Sequence, residues 1–390
     1  MISVSTAKKI IEENQQTFGV HEVKINEGLG AVLAENVISE INVPSFDNAA
    51  MDGYALRGIE NQEGWKVIHS IAAGDGEITE LKEGEAARIF TGAMIPKGCD
   101  AVLVQEEAVF KDHILFGTHP IRLSQHIRRE GEQCVAGDVL LKKGSILNVG
   151  MIALLASCGI EKVMVFKKPK VFVILTGNEL MPLGKPLEKG KIYDSNRWFI
   201  EAYLAKLNIT DVEFLHIKDE KQCLESAINQ ALEICDVLII TGGVSVGEHD
   251  HVKEALKNND VEELFHKIKQ KPGKPLLVGR KNKQMIFGLP GNPVSVALCF
   301  NQYVKPFLMH SIGHNNVWKS DAKATLSTDF KKKQGLTHFL KIKLKGDKAV
   351  ILKGQESFNM ISFAEMSHFA LIPEDVEQIN HTEVIELFEW

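Results

Sequence analysis

Apolar residues recur at helical spacing near the start of the chain, at Ala7, Ile10 and Ile11, and the spacing returns at Leu29, Val32 and Leu33. Residues 1–43 are therefore predicted to be helical. From 44 to about 127 the pattern breaks into short apolar runs such as Trp65-Lys-Val-Ile-His and Ala101-Val-Leu-Val, separated by Gly74, Gly76, Gly84, Gly92 and Gly98. Such runs between turn residues predict a small β-rich domain. Residues 128–168 return to a mixed pattern, with a helix expected over Val149–Cys158 and Gly159 placed to end it.

From Pro169 to about Gly313 buried-type strands alternate with helices. Val171-Phe-Val-Ile-Leu runs into Thr176-Gly-Asn-Glu-Leu. Asp194-Ser195-Asn196 then offers caps for a helix with Phe199, Tyr203, Leu204 and Leu207 on one face. A strand over 212–217 precedes a helix carrying Leu224, Ile228 and Leu232. Val237-Leu-Ile-Ile ends in Thr241-Gly-Gly-Val-Ser-Val-Gly-Glu, and Met285-Ile-Phe-Gly ends in Leu289-Pro-Gly-Asn-Pro before a helix from Val294. Strand, glycine loop and helix in repetition predict a doubly wound parallel sheet, with any ligand beyond the carboxyl ends of its strands. Residues 314–390, with Phe339-Leu-Lys-Ile-Lys-Leu-Lys and Val384-Ile-Glu-Leu-Phe, predict a small β domain.

At 390 residues the chain exceeds a single core, since domains usually run about 100 to 200 residues. A formal charge of −6 leaves no global basic field for nucleic acid, so any anion site must be local. The six cysteines are scattered without Cys-x-x-Cys spacing, which predicts neither a zinc site nor a disulfide framework. The longest apolar run, Met151–Cys158, is too short to span a bilayer, and the first residues lack an apolar signal core. A soluble, cytoplasmic protein is expected.

The candidate chemistry lies in the loops. Gly242 and Gly243 let backbone approach an anion and Ser245 adds a hydroxyl near a helix start, although the loop is equally readable as a plain strand-to-helix turn. Lys267, Lys269, Lys271 and Lys274 crowd eight residues. An extended segment would put the first three on one face, either protecting an edge strand or, with the Lys271-Pro-Gly-Lys-Pro turn, forming an oxyanion site. Glu179 and Asp250 each follow a glycine-bearing loop. One or two carboxylates with phosphates suit Mg²⁺, whereas either residue taken alone reads first as a helix-start carboxylate. Asp47 and Asp52 read as turn residues, and Pro293 as the first residue of a helix.

In order along the chain stand Phe46-Asp-Asn-Ala-Ala-Met-Asp-Gly-Tyr-Ala, Thr91-Gly-Ala-Met-Ile-Pro-Lys-Gly, Thr176-Gly-Asn-Glu-Leu and Asp194-Ser-Asn. They are followed by Thr241-Gly-Gly-Val-Ser-Val-Gly-Glu-His-Asp, Lys271-Pro-Gly-Lys-Pro and Leu289-Pro-Gly-Asn-Pro-Val-Ser. This succession resembles the molybdopterin molybdenumtransferase family, including the carboxy-terminal domain of gephyrin, over nearly the whole chain. The resemblance implies an elongated, multidomain homodimer that combines an α/β domain of the molybdopterin-binding fold with β-rich accessory domains. The domains would be a discontinuous one over 1–43 and 128–168, a small β-rich one over 44–127, the molybdopterin-binding one over 169–313, and a small β domain over 314–390.

It further implies insertion of molybdenum into adenylyl-molybdopterin from molybdate with Mg²⁺, giving molybdenum cofactor and AMP, and it allows docking of a molybdopterin adenylyltransferase. Carried over residue by residue, Glu179 and Asp250 would serve the metal. Thr176, Gly177, Asp194, Asn196, Gly242, Gly243, Ser245, Gly247 and Ser357 would cradle the substrate, with Pro290, Gly291, Asn292, Pro293 and Ser295 lining it. Lys267, Lys271 and Lys274 would attract molybdate and stabilise developing charge, and Asp52 of the other subunit would complete the site. The chain departs from the family at Ala49, where Ser is usual, and at Leu336 and Lys341, where the family often has Arg. It departs again at Glu356, where a small neutral residue is common. Two other classes fit parts of the pattern: a pterin-nucleotide or partner-binding scaffold without turnover, and an unrelated nucleotide-dependent α/β enzyme indifferent to molybdate.

Overall fold

The computed structural model of the chain describes residues 1–76, 80–243 and 251–390. Two compact units make it up, Glu22–Val165 and a second formed by Met1–His21 with Phe166–Trp390.

In the unit Glu22–Val165 a four-stranded sheet runs in the order Lys66–Ile71, Glu85–Ile89, Gly53–Leu56, Ala101–Val104. Its small apolar positions, among them Ala55, Ala87 and Val102, are fully buried and allow the strands to be covered closely on one face. Gly53 is required there, because a β-carbon would lie 1.9 Å from the carbonyl oxygen of Leu103. The expected helix forms over Val149–Ser157, where the Asn148 side chain accepts from the Met151 amide and Gly159 takes φ +73°. Leu29, Val32 and Leu33, in contrast, do not form a helix. Gly28 and Gly30 interrupt it, Gly30 at φ +76°. Val32 and Leu33 instead make bridges to Ile146 and Val165, so tertiary pairing overrides the local period.

The second unit is built on a six-stranded sheet in the order Val212–Ile217, Val171–Thr176, Val237–Thr241, Gln284–Leu289, Leu277–Lys281, Glu262–His266. The first four strands are parallel, as the strand–helix alternation predicts. Leu277–Lys281 runs against them, because the short connection Asn282–Lys283 to Gln284–Leu289 is a hairpin rather than a crossover, and Glu262–His266 pairs antiparallel with Leu277–Lys281 in turn. Val171–Thr176 and Val237–Thr241 are buried at every position, the mark of strands covered on both faces. Val173, Leu175, Ile239 and Phe287 face one layer, which holds Val4–Glu13, Asn196–Lys206 and the helical run from Pro293 to Ser311. Ile174, Leu238, Ile240 and Ile286 face the other, with Lys221–Ile234 and His251–Asn258.

The first helix therefore belongs to this unit: Ala7 and Ile11, both 0% exposed, sit in its largest core. Beyond residue 320 a second six-stranded sheet forms, to which Gln270–Lys271 contributes an edge strand. Thr337–Lys345 pairs both with Lys348–Ile351 and with His368–Ile372, so the sheet closes on itself around Leu326, Ile342, Ala370 and Leu387. Among the described residues no helix is long and apolar enough to cross a membrane.

Candidate functional site

Val171–Thr176, Val237–Thr241 and Gln284–Leu289 are parallel neighbours, so their carboxyl ends share one edge. A cavity of about 1020 Å³ opens there. On the sheet side it is lined by Thr176, Gly177 and Glu179, by Gly242 and Gly243, and by Pro290, Gly291, Asn292 and Ser295. Opposite stand the Lys271–Pro275 turn, Phe330, Lys331, Lys332 and His338, and the loop from Gln355 to Phe358.

Each wall is held from behind. At Gly242, φ is +83° and a β-carbon would lie 2.4 Å from the Thr176 carbonyl oxygen, so the two strand ends meet through glycine. The Asn196 amide donates to the carbonyl of Gly291 at 2.9 Å and fixes the Pro290–Asn292 turn, while Pro293 opens the next helix. Gln270 donates to the Gly273 carbonyl at 2.8 Å and accepts from the Tyr303 hydroxyl at 2.5 Å. That buried pair anchors the turn carrying Lys271 and Lys274, and Gly273 at φ +78° leaves no room for a β-carbon beside Cys299 Sγ. Val294 N donates to the Ser357 carbonyl, which docks the opposite loop onto the start of the helix.

Two polar atoms in the wall have capacity to spare. Thr176 Oγ1 and Asp219 Oδ1 are buried with no hydrogen-bond partner among the described residues. A β-carbon at Gly243 would stand 3.2 and 3.4 Å from them, so a hydroxyl and a carboxylate oxygen converge beside the glycine pair. Buried polar atoms are normally paired, and atoms left open at a cavity wall are suited to a ligand. Four lysines (271, 274, 331 and 332) face three carboxylates (Glu179, Asp219 and Glu356), a local positive excess in a chain of net charge −6. Among the described residues no three His, Cys, Asp or Glu side chains are placed to hold a metal by themselves.

The cavity thus gathers Thr176, Gly177, Glu179, Gly242, Gly243, Lys271, Lys274, Pro290, Gly291, Asn292, Ser295 and Ser357. Ser245, Gly247 and Asp250 lie outside the described residues. Asp194 does not line the cavity; it accepts from the Arg197 amide at 3.1 Å at the start of its helix. Lys267 does not line it either. The expected extended lysine face is absent, because Glu262–His266 ends in a turn with Lys267 at φ +73°, and Lys269 turns toward Glu374 at 4.0 Å. Asp52 belongs to the unit Glu22–Val165, where it accepts from both the amide and the hydroxyl of Thr91, at 2.7 and 2.6 Å. Those hydrogen bonds hold its carboxyl below the usual range.

Lys341 is 1% exposed and does not line the cavity, its Nζ donating to the carbonyls of Glu356 and Asn359, each at 3.1 Å. It shapes the loop that carries Ser357. Sequence reasoning missed Asp219, Lys332, His338 and Phe358. Asp219 had a usable signal, since it follows the parallel strand Val212–Ile217 at the same sheet edge; attention to glycine loops alone passed it over.

Comparison with known proteins matches residues 2–159 to the MoeA N-terminal region (domain I and II) and residues 172–310 to a probable molybdopterin binding domain. A molybdopterin molybdenumtransferase of Staphylococcus aureus (strain MRSA252) is 36% identical over 349 residues, 88% of this chain and 83% of the relative. The chain belongs to the molybdopterin molybdenumtransferase family. A molybdenumtransferase of Haemophilus influenzae is 39% identical over 324 residues, 82% of this chain and 80% of the relative. A crystal structure of the molybdopterin biosynthesis protein MoeA from Pyrococcus horikoshii OT3 superposes with a TM-score of 0.81 at 30% identity, covering all of both chains. Membership makes this a transferase of molybdenum cofactor biosynthesis, with the expected molybdopterin-binding α/β fold accompanied by sheet-rich regions.

Proposed function

We propose that the chain inserts molybdenum from molybdate into adenylyl-molybdopterin, releasing AMP. The observation that carries this reading is one cavity in which glycine-bearing strand ends face a lysine turn. Both substrates are anionic, and their reaction requires charge compensation and orientation rather than a protein nucleophile. Backbone N–H groups of Gly177, Gly242, Gly243, Gly291 and Asn292 would donate to phosphate oxygens. Lys271 and Lys274 offset the charge of the oxyanion and of the phosphoanhydride as it breaks. Phe330 and Phe358 supply apolar faces for a ring system.

Glu179 and Asp219, the latter with an oxygen that has no partner among the described residues, fit a hard divalent cation that also takes phosphate oxygens. When bound, Mg²⁺ would supply Lewis-acid polarisation of the phosphoanhydride. The chain's own groups orient and neutralise the reacting ends.

The test is AMP release from adenylyl-molybdopterin and Mg²⁺ with and without molybdate. Molybdate-dependent release that falls by about 100-fold or more in Glu179→Ala and Lys271→Ala supports the reading. Binding of the pterin nucleotide with no release would make the protein a scaffold instead.

A further inference from the structure

The parallel pairing of Gln270–Lys271 with Thr337–Lys345 sets Lys271 directly beside His338. Both line the cavity, and Lys332 joins them from the segment after Phe330–Lys331. Lys332 is tethered, its Nζ donating to the Glu374 carbonyl at 3.3 Å, so its charge stays at the wall. The ring of Phe330 lies 6.4 Å from that of His338 and closes one side. Other charged groups near this corner are Lys274 and Lys331 on the same side and Glu356 on the facing loop. Glu374, just after His368–Ile372, is paired with Lys269.

Burial, and then the charges of Lys332 and Lys271, press the imidazole below its ordinary value, so it is neutral among two cations. A dianion seated among the three groups would reverse that balance. Of the strand Thr337–Lys345, His338 is the polar side chain that lines the cavity, and it stands with Lys332 beside Lys271.

We infer that Lys332 and His338 join Lys271 and Lys274 around the tetrahedral oxyanion, and that His338 takes up a proton from solvent as the anion arrives. The inference rests on the transferase reading and adds to it a pH-dependent capture step that the lysines alone would not give. Binding that takes up a proton strengthens as pH falls, by at most tenfold per pH unit.

The test is calorimetric titration of the full-length protein with sodium molybdate at about pH 6 and about pH 8. It is repeated in buffers of different ionisation enthalpy and with His338→Gln and Lys271→Met. The wild-type protein is expected to bind about tenfold more tightly at the lower pH, with proton uptake. His338→Gln should lose that gain and its pH dependence while retaining the weaker affinity. Wild-type affinity and slope in His338→Gln, or binding without proton uptake in the native protein, would overturn the inference. The transferase reading would survive that result provided Lys271→Met still abolished binding. Absence of molybdate binding by the wild-type protein would overturn both.

Discussion

Lys341 shows a buried cation acting on the cavity at one remove. It does not line the cavity and spends its donors on the carbonyls of Glu356 and Asn359 beneath the cavity loop. Burial presses its ammonium below the ordinary lysine value, with Glu356 opposing. Lys341→Met would remove the charge and leave two carbonyls short of a donor. It is expected to destabilise by about 2 to 3 kcal/mol in urea unfolding. It should also weaken nucleotide binding, because Ser357 rides on the released loop. Tyr303 is a second residue acting at one remove. Its hydroxyl donates to Gln270, which in turn holds Gly273. Tyr303→Phe leaves Gln270 Oε1 buried without its donor and should cost about 1 to 3 kcal/mol in the same measurement. An unchanged midpoint would show that the lysine turn is held by Cys299 and backbone alone.

At the scale of elements, the parallel strands were legible because Val171–Thr176 and Val237–Thr241 are apolar up to their closing threonines and end in Gly-containing loops. The cavity's glycines, prolines and Lys271-Pro-Gly-Lys turn were legible for the same local reason. Groups brought in by long-range pairing were not. His338 reaches the site only through the register of Thr337–Lys345 against Gln270–Lys271, which no local period encodes. The first helix makes the same point. Its amphipathic pattern was readable, but not which core it would enter. Because Ile11 is fully buried against the α/β unit, Ile11→Ala should cost about 2 to 5 kcal/mol there. Trp198, Trp318 and Trp390 lie in that unit and only Trp65 in the other, so tryptophan fluorescence during denaturation follows mainly the affected unit. A midpoint equal to the wild type would detach the helix from this core.

For the molecule as a whole, titration concentrates in one unit. His310, His314, His338 and His368 all belong to the unit ending at Trp390, and burial lowers the pKa of each. In the unfolded chain these groups protonate near their ordinary value of about 6.5. The folded protein resists protonation until lower pH, so between those values the unfolded state binds more protons. Stability is therefore complete above about pH 6.5 and is lost as pH falls through and below it. The pKa values of Asp47, Asp52, Glu254 and Asp329 are lowered as well, which in a carboxylate favours the charged form. Hydrogen bonds and cations hold them low, so they stay ionised across this window and contribute a loss only at more acid pH. Differential scanning calorimetry from about pH 7.5 to about pH 5.5 should thus show the melting temperature falling before carboxylates titrate. Molybdate should lessen that fall, since an anion beside His338 converts one destabilising protonation into a favourable one. A fall that is identical with and without molybdate would leave burial alone governing His338. A melting temperature that holds constant over this range would mean that the four imidazoles protonate without cost in the folded state.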